Sequence, residues 1–348
     1  MSQANQQSLV ATARSLVAPG KGILAADEST GTIKRRFDSI RVASTEDTRR
    51  DYREMLFRTP KIERHISGVI LFDETLRQKA ADGTSLTKVL QDRGIIPGIK
   101  VDTGAHSLAG APGELVTEGL DGLGDRLTEY YQLGARFAKW RAVITIGPEI
   151  PSDYCIHVNA HALARYAALS QEANLVPIVE PEVLMDGEHS IDRCFEVTLA
   201  ALHEVFHQLS RQRVLLEGIL LKPNMVLSGK EASNRAGPEE VAEKTVTCFQ
   251  RGVPAAVPGI VFLSGGMADD EATLNLNAMN RYGVQVGAPW QLSFSYGRAL
   301  QAAPLKAWSG RAANVAAAQQ AFHHRAFVVS AARGGTYKPE IEAQLATA

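Results

Sequence analysis

Leu216-Glu217-Gly218-Ile219-Leu220-Leu221-Lys222-Pro223-Asn224-Met225 decides how the rest of the chain is read. Ile219-Leu220-Leu221 runs straight into one lysine, and Pro223 removes the next backbone donor, so a regular central strand stops there. A short unbroken apolar run between Gly218 and Pro223 fits a strand buried on both faces, as in a parallel sheet. An ammonium at the end of such a strand is costly to bury unless it is paired or loses its proton. A lysine that acts as a nucleophile must lose that proton, and gains from such a site. The plainer reading is a lysine whose stem lies on apolar surface while its head reaches water. The rest of the sequence weighs between them.

Similar runs flank this one on both sides. Ile23-Leu24-Ala25-Ala26 ends at Asp27-Glu28-Ser29, Gly68-Val69-Ile70-Leu71-Phe72 at Asp73, and Ile95-Ile96-Pro97-Gly98-Ile99 at Lys100-Val101-Asp102. In the run over residues 135–144, Phe137, Lys139 and Arg141 share one side and Ala138, Trp140 and Ala142 the other. Leu175-Val176-Pro177-Ile178-Val179 ends at Glu180-Pro181-Glu182. Gly259-Ile260-Val261-Phe262-Leu263 ends at Ser264-Gly265-Gly266, and Trp290-Gln291-Leu292-Ser293-Phe294 at Ser295-Tyr296-Gly297-Arg298. Between the runs, the patterns predict helices over 45–58, 84–91, 120–132, 158–172 and 191–209, and a largely alanine-rich helix over 299–328. Thr30-Gly31-Thr32 reads as a turn, and a loop rich in Gly and Pro leads to the 120–132 helix. Eight runs alternating with helices specify an α/β fold, a single (β/α)8 TIM barrel of parallel strands, with a doubly wound sheet as runner-up. Pro97 and Pro177 fit such strands only at their starts. No linker splits the chain, so residues 1–348 read as one domain with a short polar N-terminal segment and a C-terminal tail from about residue 333.

Composition narrows the function. Hydrophobic content of 45% and charged content of 22% are those of an ordinary globule with a sizeable core. A net charge of −1 gives no global field for nucleic acid or an acidic membrane, so any bound anion must be met by local lysines and arginines. Cys155, Cys194 and Cys248 lie far apart with no CxxC, which argues against a disulfide framework and a cysteine zinc site and fits a reducing compartment. The polar N-terminus has no signal pattern, and the uncharged run 252–268 is broken by Pro254 and Pro258, which suits a buried loop and strand rather than a membrane span. The expectation is a cytoplasmic protein.

In a barrel the C-terminal ends of all strands converge on one rim, where active sites of this fold are built. One charge at a strand end is ordinary solvated surface. Asp27, Lys100, Asp102, Lys139, Arg141, Glu180, Glu182, Lys222, Ser264 and Arg298 on one rim are not. Ser264-Gly265-Gly266 and Ser295-Tyr296-Gly297-Arg298 add backbone donors and a guanidinium where barrels hold phosphate. A buried amine, carboxylates to carry protons and a phosphate seat suit imine chemistry on a phosphorylated carbonyl compound.

These residues also carry a family resemblance. Gly22-Ile23-Leu24-Ala25-Ala26-Asp27-Glu28-Ser29-Thr30-Gly31, Gly98-Ile99-Lys100-Val101-Asp102, Phe137-Ala138-Lys139-Trp140-Arg141, Ile178-Val179-Glu180-Pro181-Glu182, Leu220-Leu221-Lys222-Pro223-Asn224-Met225 and the two glycine-rich turns resemble the class I fructose-bisphosphate aldolases. The resemblance implies that Lys222 forms a Schiff base with the ketone of fructose 1,6-bisphosphate, that Glu180 is the acid/base for dehydration, and that Asp27 accepts the C4 hydroxyl proton, with Lys139 assisting. Glu182, Lys100 and Arg141 resemble positioning and charge-balancing neighbours. Ser264, Gly265, Gly266, Ser295, Gly297 and Arg298 match one phosphate site, and Arg36, Arg49 and Lys139 match contacts to the other phosphate end. It further implies a phosphorylated sugar substrate, no metal or other cofactor, a homotetramer, and a place in glycolysis and gluconeogenesis. The sequence departs from animal members at Arg35, where they carry lysine, at Thr103, again for lysine, and at its end, Ala348, with no terminal tyrosine. The animal tail's role is therefore not carried over.

Rival readings are weaker. His203-Glu204-Val205-Phe206-His207 matches the HExxH zinc pattern, but its place between two runs puts it on the barrel's outer wall, as surface and packing histidines. His157 and His161 read the same way. Other imine-forming phosphosugar aldolases of the transaldolase type, and a catalytically silent scaffold, are the remaining alternatives.

Overall fold

A computed structural model of the chain describes residues 2–344. Its strands are β1 Gly22–Ala26, β2 Ile66–Leu71, β3 Ile96–Lys100, β4 Gly104–Ser107, β5 Leu115–Glu118, β6 Phe137–Ile144, β7 Val176–Val183, β8 Leu220–Leu221, β9 Gly259–Phe262 and β10 Gln291–Tyr296. Eight of them close a barrel in the order β1-β10-β9-β8-β7-β6-β3-β2, with parallel pairing throughout. The (β/α)8 expectation holds. Pro97 and Pro177 fall at the second residue of β3 and β7, as strands with a missing donor require.

The alternation read along β6 separates two cores. Phe137 packs inside the barrel with Ile23, Ile70, Val176, Ile178, Leu220 and Val261, while Ala138, Trp140 and Ala142 pack outward against the helices. Phe137 occupies space that only glycine opposite can leave, since a Cβ on Gly98 would lie 2.3 Å from its ring. Trimming a fully buried phenylalanine of this kind costs about 3–5 kcal/mol. Trp140 stacks on Tyr166 of the Asp153–Glu172 helix, centroids 5.6 Å apart. Such contacts fix the strands that carry the rim.

The structure corrects several local expectations. The polar N-terminal segment continues into a helix, Gln3–Leu16, whose Leu9, Ala13 and Leu16 extend the barrel's inner core. Ser67 Oγ donates to Leu16 O (2.5 Å), which ties that helix to the start of β2 and closes the N-terminal end of the barrel. Thr30-Gly31-Thr32 is not a turn. Ser29 flanks a helix, Thr30–Ser39, that starts immediately, and Gly31 sits in its first turn. The stretch 299–328 divides into Arg298–Trp308 and Val315–Arg333, because Ser309 (φ 47°) and Gly310 (φ 71°) are left-handed and end the first helix. The loop before the 120–132 helix holds an antiparallel hairpin, β4–β5, and the helix itself spans Leu123–Gln132.

Candidate active site

β8 is only two residues long in the ladder, and Lys222 is the next residue, its N–H donating to Val179 O at 2.8 Å. Register then decides what the lysine faces. Lys100 lies opposite Lys139 in the β3–β6 pair, and Arg141 opposite Glu180 in the β6–β7 pair. Lys139 and Arg141 are two residues apart on β6, and Glu180 and Glu182 on β7, so each pair shares a face. Asp27 follows the last residue of β1.

The result is a charge network at the barrel mouth. Lys222 Nζ lies 3.3 Å from Glu180 Oε1. Glu180 Oε2 lies 3.4 Å from Lys139 Nζ and is left without a hydrogen-bond partner, and Lys139 Nζ lies 2.7 Å from Asp27 Oδ2. Lys100 Nζ pairs with Asp102 Oδ1 at 2.6 Å, and Arg141 Nε with Glu182 Oε2 at 2.5 Å. Lys222, Lys139 and Glu180 are each less than 5% exposed. Burial alone would raise the Asp27 carboxyl, but Lys139, Lys222 and Lys100 outweigh it and hold it well below the usual carboxylate range. Burial would likewise lower Lys139, yet Asp27, Glu180 and Asp102 hold its ammonium well above the ordinary lysine value. Lys139 is therefore a fixed cation joining two carboxylates, and Asp27 is held ionised.

Asp27, Lys100, Asp102, Lys139, Arg141, Glu182 and Lys222 line a cavity of about 440 Å³, which also takes in Ser264, Gly265, Ser295, Gly297 and Arg298, whereas the buried Glu180 sits against Lys222 and Lys139 without lining it. Gly265 is left-handed (φ 48°), a conformation that turns the backbone after β9 and that a side chain adopts only under strain. The buried Ser295 Oγ has no hydrogen-bond partner. Gly297 caps the N-terminus of the Arg298–Trp308 helix, where backbone N–H groups are unsatisfied within the helix and favour an anion. Arg298 donates to Met267 O while also reaching the cavity.

Not every expected residue arrives there. Gly266 packs against Met185 beside the cavity, where a Cβ would lie 2.8 Å from the sulfur. Arg36 lines the cavity, held by Glu28, and its Nη2 lies 3.7 Å from where a Cβ on Gly297 would stand. It thus stands beside the glycine turn rather than far from it. Arg49 is elsewhere: its guanidinium pairs twice with Glu74, at 2.8 and 2.5 Å, and does not line the cavity. Its partner comes from another helix, Asp73–Arg77, so residue type alone could not tell this ion pair from a ligand contact. Conversely, Glu28, Ser29, Thr32, Asp102 and Thr103 line the cavity without having been given roles. Ser29, Thr32 and Arg36 follow i, i+3, i+7 spacing, a signal that becomes readable only if residues 30–39 are read as helix.

The HExxH stretch lies on the outer wall, as expected. His203 Nε2 contacts Arg251 O at 3.2 Å, whereas Glu204 meets His157 Nδ1 at 2.8 Å and takes a hydrogen bond from Gln208. Among the described residues no helix is long and apolar enough to cross a membrane.

Comparison with known proteins gives the family. A family model described as fructose-bisphosphate aldolase class-I matches residues 8–348. The chain is 60% identical over 321 residues to a probable fructose-bisphosphate aldolase class 1 of Xanthomonas campestris, covering 92% of this chain and 95% of that protein. It is 56% identical over 330 residues to the cytoplasmic fructose-bisphosphate aldolase isozyme of Spinacia oleracea, covering 95% and 92%. The solved fructose-bisphosphate aldolase of Plasmodium falciparum superposes with a TM-score of 0.95 at 49% identity, over 97% of each chain. With the fold, the rim and these relatives in agreement, the chain belongs to the class I fructose-bisphosphate aldolase family.

Proposed function

We propose that Lys222 carries the substrate as an imine, with Glu180, Lys139 and Asp27 moving its protons. The protein is a metal-independent class I aldolase that cleaves fructose 1,6-bisphosphate reversibly to dihydroxyacetone phosphate and glyceraldehyde 3-phosphate, a step of glycolysis and gluconeogenesis. The observation that carries the residue assignment is the line Lys222–Glu180–Lys139–Asp27, with separations of 3.3, 3.4 and 2.7 Å.

In this reading the neutral Lys222 amine adds to the C2 carbonyl, giving a carbinolamine. Glu180 protonates its hydroxyl, water leaves, and the nitrogen lone pair forms the C=N bond of a protonated imine. Asp27, already ionised, takes the proton from the C4 hydroxyl. The C4–O electrons become the aldehyde carbonyl as the C3–C4 bond breaks, and that bond's pair moves into the imine, leaving an enamine on Lys222. Glyceraldehyde 3-phosphate departs, C3 takes a proton, and water releases dihydroxyacetone phosphate and the free lysine. Lys139 balances the charge on both carboxylates as protons move between them. Ser264, Gly265, Ser295, Gly297 and Arg298 seat one phosphate; Lys100, Arg141 and Glu182 hold the rest of the substrate in place.

Lys222→Arg keeps the charge but not the nucleophile, and should leave cleavage at background with normal folding; retained cleavage by a pure preparation would contradict the assignment. The assembly we propose is a homotetramer, working in the cytoplasm like relatives described as cytosolic or cytoplasmic; sedimentation at monomer mass would refute the tetramer.

A further inference from the structure

We propose that Glu28 is a positioning residue for substrate phosphate, acting by clamping the Arg36 guanidinium at the cavity wall. The proposal rests on the reading of Arg36 as a phosphate contact and extends it to a buried carboxylate that has no role in the proton transfers.

Glu28 is 7% exposed, yet borders the anion-binding cavity. A buried carboxylate beside a phosphate seat repels the ligand and is costly to desolvate, so it persists only where its partners repay both effects. Its partners are arranged asymmetrically. Oε1 accepts from Arg36 Nη1 and from Gln301 Nε2, the latter at 2.7 Å. Gln301 is itself buried, and its Nε2 also donates to Ala25 O at 2.8 Å, which fixes the clamp to β1. Oε2 faces Arg53 Nη2 at 3.7 Å, and Arg53 donates to the Glu28 carbonyl at 2.8 Å and to Thr75 Oγ1 at 2.6 Å. Two guanidiniums thus face one carboxylate, Arg53 leaning also toward Glu74 Oε1 at 3.9 Å, and of the two only Arg36 lines the cavity.

Arg36 spends only Nη1 on this pair. Its Nη2 stands at the Gly297 turn, 3.7 Å from the position of a Cβ there. The side chain is 24% exposed, and an arginine that open would otherwise sample many rotamers. Holding it before the substrate arrives removes that ordering cost from binding. Glu28 therefore bears on substrate affinity rather than on the chemical step.

The test is steady-state cleavage of fructose 1,6-bisphosphate by Glu28→Ala, Arg36→Ala and the double variant, each checked for native circular dichroism. Glu28→Ala should raise KM about tenfold, the value of one charge-assisted hydrogen bond, with kcat changed less than about threefold. The double variant should match Arg36→Ala alone, because Glu28 acts through Arg36. A normal KM in folded Glu28→Ala, or effects that add in the double variant, would overturn the proposal while leaving Arg36 a phosphate contact. A normal KM in Arg36→Ala would overturn the underlying reading as well. Should Glu28→Ala fail to fold, Gln301→Leu removes one donor to Glu28 and should raise KM in the same direction, less steeply, and not in an Arg36→Ala background; an unchanged KM refutes the clamp.

Discussion

Replacing Lys139 by methionine loads the electrostatics of the site most directly. Methionine keeps much of the stem's length and deletes the ammonium that stands 2.7 Å from Asp27 and 3.4 Å from Glu180. At an effective dielectric of 20, those separations correspond to gross attractions of about 6 and 5 kcal/mol. Desolvation of the ammonium cancels much of this, and losing one partner of such a buried pair leaves a net cost of about 3–5 kcal/mol. A second route gives the same size. A carboxyl of ordinary affinity forced to take up a proton at pH 7 costs about 4 kcal/mol. The sign with pH separates this from loss of packing. In the wild type Asp27 is depressed, so its contribution is complete above the unfolded carboxylate pKa and is lost only as pH falls below that range. In Lys139→Met only Lys222 and Lys100 remain to oppose burial, the largest single influence on Asp27, and the expected outcome is a carboxyl raised above its ordinary range. The folded variant then holds a proton that the unfolded chain has released, so its stability falls as pH rises. Urea unfolding of both proteins at pH 7 and pH 5, at one protein concentration, should show the deficit shrinking by up to about 1.4 kcal/mol per pH unit toward pH 5. A deficit under about 1 kcal/mol at pH 7, the size of a surface pair, or one that ignores pH, would refute the reasoning.

Other consequences are quicker to check. Arg49→Ala should leave KM for fructose 1,6-bisphosphate unchanged while lowering stability by about 1–3 kcal/mol, since its partner is Glu74 outside the cavity; a tenfold rise in KM would return Arg49 to the site. Gly265→Ala forces a left-handed alanine and brings a Cβ to 3.1 Å from Leu263 Cδ1, so KM for the bisphosphate should rise about tenfold with kcat nearly kept; an unchanged KM would show that this turn does not seat phosphate. Burial pushes the Cys248 thiol up to about 12 and Cys155 to about 11, so a thiol reagent at pH 8 should find almost nothing until the protein unfolds, and rapid labelling of the native protein would contradict that burial.

Sequence reading went furthest where one short pattern fixed both place and environment. Ile219-Leu220-Leu221 before Lys222-Pro223 gives a strand end by composition alone, and that is where β8 stops. Phe137, Lys139 and Arg141 alternate with Ala138 and Trp140, so inward and outward faces of β6 were legible at once. Arg49 and Glu28 were not. Each bears a charged side chain whose partner, Glu74 or Arg36, comes from another element, and only tertiary packing decides which of the two reaches the cavity. The β4–β5 hairpin escaped because its short strands are exposed or half-buried at all but one position and carry no long apolar run. The Gln3–Leu16 helix shows only Leu9, Ala13 and Leu16 on its buried face, amid polar residues that read equally well as a tail.

The central claim is that one amine at the barrel mouth holds the substrate covalently. Borohydride reduction in the presence of dihydroxyacetone phosphate, followed by mass mapping of the digested protein, should place the adduct on the peptide containing Lys222 and nowhere else. An adduct on Lys139 or Lys100, or none at all from an active preparation, would contradict the account.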